Sequence, residues 1–218
     1  MSRTLRYDLY VITDEASSHG LSHVEIARRA VEGGADVIQL RDKGMSGKGL
    51  IKCALEIREV TRKAGALFIV NDRLDVALAS GADGVHLGQD DIPASSARAI
   101  SPPGFIIGVS VGNVEEAVQA ERDGADYVGL GPICHTASKS DAGPACGFDV
   151  IASVKKAVSI PVVAIGGLGP QNAGKAIEAG ADGIAVISAV VGQADIAGAA
   201  RRLKYIIVEA KHRKGYQG

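Results

Sequence analysis

The 218-residue chain carries 24 Lys and Arg against 25 Asp and Glu, a formal net charge of −1. That balance leaves no electrostatic footprint for nucleic acid or an anionic membrane surface. The length suits one α/β domain, and 46% hydrophobic residues without Trp suit a core of Val, Ile, Leu and Ala that needs no disulfide or metal staple.

In chain order, the opening MSRTLRYDLYVITDE lacks the apolar stretch of a secretory signal. No later run approaches the roughly 20 apolar residues of a membrane span. Eight short apolar runs read as strands: 9–12, 37–40, 67–70, 84–87, 106–109, 127–130, 162–165 and 183–187. Most are nearly continuous and rich in Val and Ile, the pattern of parallel strands covered on both faces. Amphipathic stretches lie between them. The first, 22–32, opens on Ser22 with Glu25 three residues later, the spacing of a capping box. Segments 48–64, 113–123 and 171–179 share its 3.6-residue period, and 196–211 reads as a long closing helix. Eight βα units in this length predict a (β/α)8 TIM barrel, one domain over 1–218. The alternative, a doubly wound open sheet, is disfavoured because the first turn carries no GxGxxG.

Gly-Ala-Asp occurs at 34–36, 81–83, 124–126 and 180–182, each time just before an even-numbered strand. The repeat therefore spans two βα units, a quarter of the barrel. Its glycine is expected to end the preceding helix in a left-handed conformation. Its aspartate is expected to satisfy backbone groups at the end of the barrel away from the chemistry.

Chemistry in such a fold belongs to the C-terminal strand ends. Those positions carry Gln39, Arg41 and Lys43, then Asn71 and Asp72, then Asp91, Ser110, and a loop with Thr136, Ser138 and Lys139. Gln39 and Arg41 share one side of their strand by alternation, the side of the barrel mouth. Cations beside two carboxylates suggest a diphosphate with Mg²⁺, which binds through one or two carboxylates plus substrate phosphates. Gly166-Gly167 and Ile187-Ser188 close the last two strands, where barrels frequently hold a monophosphate on backbone amides. His86 reads as a packed core histidine rather than a catalytic base, and His19 and His23 as surface residues. The cysteines Cys53, Cys134 and Cys146 are too few and too irregular for a zinc site, and they point to free thiols in the cytoplasm. The basic stretch 211–214 reads as a solvated tail.

The segments QLRDK, IVNDRLDVALASGADGVHLGQDDIP, GVS, GLGPICHTASKSDAGPACG, PVVAIGG and GADGIAVIS together resemble the thiamine phosphate synthase (thiamine-phosphate pyrophosphorylase) family over nearly the whole chain. The resemblance implies joining of 4-amino-2-methyl-5-hydroxymethylpyrimidine diphosphate to 4-methyl-5-(2-phosphoethyl)thiazole, giving thiamine phosphate and pyrophosphate. It implies that Gln39, Arg41, Lys43, Asn71, Ser110 and Lys139 hold the pyrimidine diphosphate. Asp72 and Asp91 would bind Mg²⁺, and Thr136, Ser138, Gly167, Ile187 and Ser188 the thiazole phosphate. Arg41, Lys43 and Lys139 would act on the leaving group. Two departures stand out: Gly112, where many members have His, and Ser138, where Thr is common. The related thiazole tautomerases, a metal-free alternative, use that His and tend to lose the cations and carboxylates kept here. A non-catalytic thiamine-phosphate-binding barrel is a further alternative. The expected partners are these small molecules alone. Barrels of this kind are often homodimers, and no surface stripe in the sequence decides it.

Overall fold

The structure, a computed structural model, describes residues 6–136 and 144–215. Eight parallel strands close into a barrel in sequence order: β1 (Leu9–Ile12), β2 (Val37–Leu40), β3 (Leu67–Asn71), β4 (Gly84–Leu87), β5 (Ile106–Val111), β6 (Tyr127–Leu130), β7 (Val162–Ile165) and β8 (Gly183–Val186). The pairing of β8 with β1 rules out an open sheet. Between the strands run α1 (His23–Glu32), α2 (Gly47–Ala64), α3 (Leu74–Ser80), α4 (Ala94–Ile100), α5 (Val114–Arg122), α6 (Asp149–Ala157), α7 (Ala173–Ala179), α8 (Ser188–Val191) and α9 (Ile196–Arg213).

Two differences from the sequence pattern matter for the site. Strand β3 runs on to Asn71 and β5 to Val111, because their neighbours continue the ladder through Asn71 opposite His86 and Ser110 opposite Gly129. Polar residues at these ends are thus held in regular sheet. The short helices α3, α4 and α8 carry too few turns to show a periodic stripe.

The near-continuous apolar strands bury both faces. One set of side chains, including Tyr10, Val37, Ile69, Ile106, Tyr127 and Val163, fills the barrel interior. The alternate set, including Leu9, Ile38, Val70, Val85, Val128 and Ile184, packs under the helices. At the start of α1 the Ser22 hydroxyl accepts from the Glu25 amide at 3.3 Å, half of the expected capping box. The Glu25 carboxylate turns instead to Arg28 and Arg29. His19 is exposed as expected, but His23 is not a surface residue: it is 1% exposed. It opens α1 facing the barrel, where its ring bonds Thr13 Oγ1 at 2.7 Å and Asp42 at 3.2 Å.

The Gly-Ala-Asp copies form one device repeated around the N-terminal end. Their glycines take φ of 92°, 66°, 89° and 120°. Each alanine amide bonds back across the helix end, to Ala30, Ala77, Ala120 and Ala176 carbonyls, all at 3.0 Å. With the glycine amides bonded three residues back, this is the Schellman closure of α1, α3, α5 and α7. Each aspartate then exchanges two hydrogen bonds with a single residue of the preceding odd strand. The partners are Leu9, Phe68, Ile107 and Val162, whose amides donate to the carboxylate and whose carbonyls accept from the aspartate amide at 2.7–2.9 Å. A cation from a neighbouring helix completes each copy: Lys204 on Asp36, Arg58 on Asp83, Arg98 on Asp126 and Lys155 on Asp182. These carboxylates are committed to holding the sheet.

Candidate active site

At the opposite end the strand termini surround a cleft of about 1300 Å³. Most of the residues expected there line it. Arg41 and Lys43 follow β2, Asn71 and Asp72 end β3, Asp91 follows β4, and Ser110 lies near the end of β5. Thr136 follows β6, Gly167 follows β7, and Ile187 and Ser188 follow β8. Ser138 and Lys139 lie outside the described residues. Gln39 points inward as alternation requires but sits below the cleft, 1% exposed and not on its lining.

Asp72 turns the chain out of β3 with φ 61°, a left-handed conformation that aspartate tolerates better than most side chains. Its amide donates to the His86 carbonyl at 2.8 Å, so the turn is anchored on β4. Asp91 is placed by a 2.6 Å bond from the Gly88 amide to its carboxylate. The two carboxyl groups are neighbours. Burial, reinforced by Asp91, pushes the Asp72 carboxyl up to about 6, and the charges of Lys43 and Arg41 pull it partly back. Two half-buried carboxylates held together beside two cations form a site whose repulsion a divalent metal could relieve. Among the described residues no cluster of three or more His, Cys, Asp and Glu forms a full protein cage. Magnesium suits the pair, since it needs only one or two carboxylates when phosphate oxygens and water complete its shell.

The other side of the cleft is built from backbone. Gly166 and Gly167 pass so close to the β6 loop that a Cβ on Gly167 would stand 2.5 Å from the His135 carbonyl. Next to them, Ile187 and Ser188 start the single turn of α8. This side is neutral except for Arg202 of α9 at the rim.

Arg202 was not apparent from sequence. Ala199 and Arg202 are three apart on α9 and both line the cleft, but an arginine beside Arg201 on a closing helix reads as a solvated charge. A second missed feature is a buried chain of hydrogen bonds across the barrel interior. It runs from Gln39 Nε2 to Tyr10 (2.7 Å), Tyr127 (2.9 Å), His86 Nδ1 (2.9 Å) and, from His86 Nε2, to Ser110 Oγ (2.9 Å). His86 is a core histidine, 8% exposed, as expected, but one wired to the cleft. The tyrosines sit in apolar runs and give no polar signal in sequence. Gly112, the departing position, donates its amide to Glu116 and lies off the cleft lining. Cys53, Cys134 and Cys146 are free thiols.

The chain is similar to known proteins over almost its whole length. The family model described as thiamine monophosphate synthase matches residues 9–190. A thiamine-phosphate synthase from Methanocella arvoryzae is 62% identical over 93% of this chain and 96% of its own. One from Methanoculleus marisnigri is 58% identical over 94% and 97%. A solved structure of the thiamine phosphate pyrophosphorylase from Pyrococcus furiosus superposes with a TM-score of 0.88 at 44% identity, covering 94% of this chain and 98% of that one. With the cleft residues above on a closed eightfold barrel, these matches agree on one conclusion: the chain belongs to the thiamine monophosphate synthase family.

Proposed function

We propose that this chain, a transferase of thiamine biosynthesis by its family, joins the pyrimidine diphosphate and the thiazole phosphate by displacement of pyrophosphate in the cleft. The observation that carries the reading is the carboxylate pair Asp72 and Asp91 beside Arg41 and Lys43. An isomerase or a simple binder has no departing diphosphate and no need of that set.

Arg41 and Lys43, both on the cleft lining, bind the diphosphate and oppose the charge that grows as the C–O bond breaks. Lys139 belongs to the same role. Asn71 and Ser110 add neutral contacts to this substrate, whereas Gln39, buried below the lining, acts through Tyr10 rather than on the substrate. Asp72 and Asp91 would hold Mg²⁺, whose charge would neutralise diphosphate oxygens. The backbone amides near Gly167, Ile187 and Ser188, with Thr136 and Ser138, suit the monophosphate of the thiazole. The amino group of the pyrimidine stabilises the methylene cation left behind, and the thiazole nitrogen attacks it. That nitrogen carries no proton, so no side chain is asked to act as a base. Holding both partners in line lowers the entropic cost of their meeting.

The test is pyrophosphate release from the two substrates, with and without magnesium. Release that needs both substrates and the metal supports the reading. Wild-type release by both Arg41→Ala and Asp72→Ala would sink the leaving-group assignment.

A further inference from the structure

The chain Gln39–Tyr10–Tyr127–His86–Ser110 has one direction in which every hydroxyl proton along it finds an acceptor. Gln39 Nε2 can only donate, so the Tyr10 oxygen accepts from it. The arrangement that gives every hydroxyl proton an acceptor then sends the Tyr10 proton to the Tyr127 oxygen and the Tyr127 proton to His86 Nδ1. An imidazole that accepts at Nδ1 carries its proton at Nε2 when neutral, and that N–H donates to Ser110 Oγ. Ser110, accepting from His86, keeps its own hydroxyl proton for the cleft it lines. At the far end Gln39 Oε1 is left without a partner among the described residues. Reversing the bonds from Tyr127 onward would leave the buried Tyr10 proton without an acceptor among these groups.

The interior is cut to fit this chain. A Cβ on Gly108 would stand 2.1 Å from the Tyr127 ring, and one on Gly129 would stand 2.9 Å from His86 Cε1. Burial pushes the phenols of Tyr10 and Tyr127 above the usual tyrosine range, so both remain protonated donors. His86 and Tyr127 also pack ring to ring, with centroids 5.6 Å apart.

We infer that Tyr127 and His86 are positioning residues that lock Ser110 as a hydrogen-bond donor toward an acceptor atom of the pyrimidine diphosphate. This rests on the reading of Ser110 as a contact to that substrate. Without the Tyr127 proton, His86 can take the other tautomer. Its Nε2 then accepts from Ser110, and the serine proton is turned away from the ligand.

The test compares variants that each delete one atom of the chain. Tyr127→Phe should raise KM for the pyrimidine diphosphate about tenfold, the size of one lost bond to a charged ligand, with kcat changed less. Tyr10→Phe also deletes a buried phenol oxygen but leaves Tyr127 free to donate to His86, so KM should stay near wild type. Melting temperatures of both variants report the structural cost, which should be similar. In a Ser110→Ala background Tyr127→Phe should have no further effect on KM. Nitrogen-15 NMR of the folded wild-type protein should find the His86 proton on Nε2, and Tyr127→Phe should give a mixture. Equal KM effects of the two tyrosine variants, a further loss in the Ser110→Ala background, or an Nδ1-protonated His86 in the wild type would each overturn the inference. An unchanged KM in Ser110→Ala alone would instead remove the substrate reading of Ser110, and the link from the chain to the ligand with it, while leaving the NMR result standing.

Discussion

The two ends of this barrel treat acidic residues in opposite ways. At the N-terminal end Asp36, Asp83, Asp126 and Asp182 each meet two backbone groups of one strand residue and a cation from a helix, four times over. At the C-terminal end Asp72 and Asp91 meet each other, and Asp72 is pushed up to about 6 by burial first and by its neighbour second. One end repeats and is satisfied; the other does not repeat and is frustrated. A satisfied carboxylate contributes stability, whereas a frustrated pair is, on the proposed function, the place where a bound cation relieves the repulsion. On the proposed function, the contrast separates stability from chemistry within a single fold.

The contrast is broken most directly at the cleft. Asp72→Ala and Arg41→Ala should each lower the rate by roughly 10²–10³, the loss typical of one preorganised electrostatic group. Arg41→Ala should not lower the melting temperature; in Asp72→Ala the relief of repulsion with Asp91 is offset by the left-handed φ of 61°, which alanine tolerates less well, so the melting temperature should change little. A rate loss accompanied by unfolding would place Asp72 among the structural acids.

Gly129→Ala tests the layer between the two ends. The added methyl meets His86 at 2.9 Å, and overpacking of this kind costs about 1–3 kcal/mol. Both stability and KM should suffer, since the displaced ring carries the bond to Ser110. Denaturant titration and steady-state kinetics on the same preparation check it.

Asp182→Ala should do the reverse of Asp72→Ala. It strands the Val162 amide and the Lys155 ammonium, partners at 2.7 Å each, at a cost of about 2 kcal/mol. The rate at 25 °C should be unchanged for the folded fraction.

The smallest effect concerns acid. Burial acts to raise the Asp8 carboxyl, but the ammonium groups of Lys204 and Lys211 outweigh it and hold Asp8 below the usual carboxylate value. A folded value below the unfolded one means stability that is present above the unfolded value and lost as pH falls through the folded one. Unfolding stability should therefore begin to fall at about pH 4 and below. Asp8→Asn should be less stable at neutral pH and should flatten that acid limb, read as melting temperature against pH.

Much of this was legible in the chain. Two-sided apolar strands and a Gly-Ala-Asp phrase every second strand specify the barrel and its quarter period, because repeated local chemistry writes itself in repeated letters. Arg41, Lys43, Asn71, Asp72, Asp91 and Ser110 could be placed at the cleft because a strand end is fixed once the strand is known. His23 was misread because its burial depends on Thr13 and Asp42, which reach it from two other strand ends. Arg202 was missed because only the packing of α9 decides which of its arginines faces the mouth.

By itself, then, the sequence determines the architecture, the identity of the carboxylates and cations available, and the end of the barrel on which they appear. These follow from periodicity and chain order, which are local. The tertiary structure alone decides that Asp72 and Asp91 become neighbours, that Gln39 sits below the cleft rather than in it, and that Tyr10, Tyr127 and His86 join into one directed chain ending at Ser110. Those facts depend on which side chains meet across a closed interior, and hydrogen bonds between residues as far apart as Tyr10 and Tyr127 leave no trace in spacing along the chain.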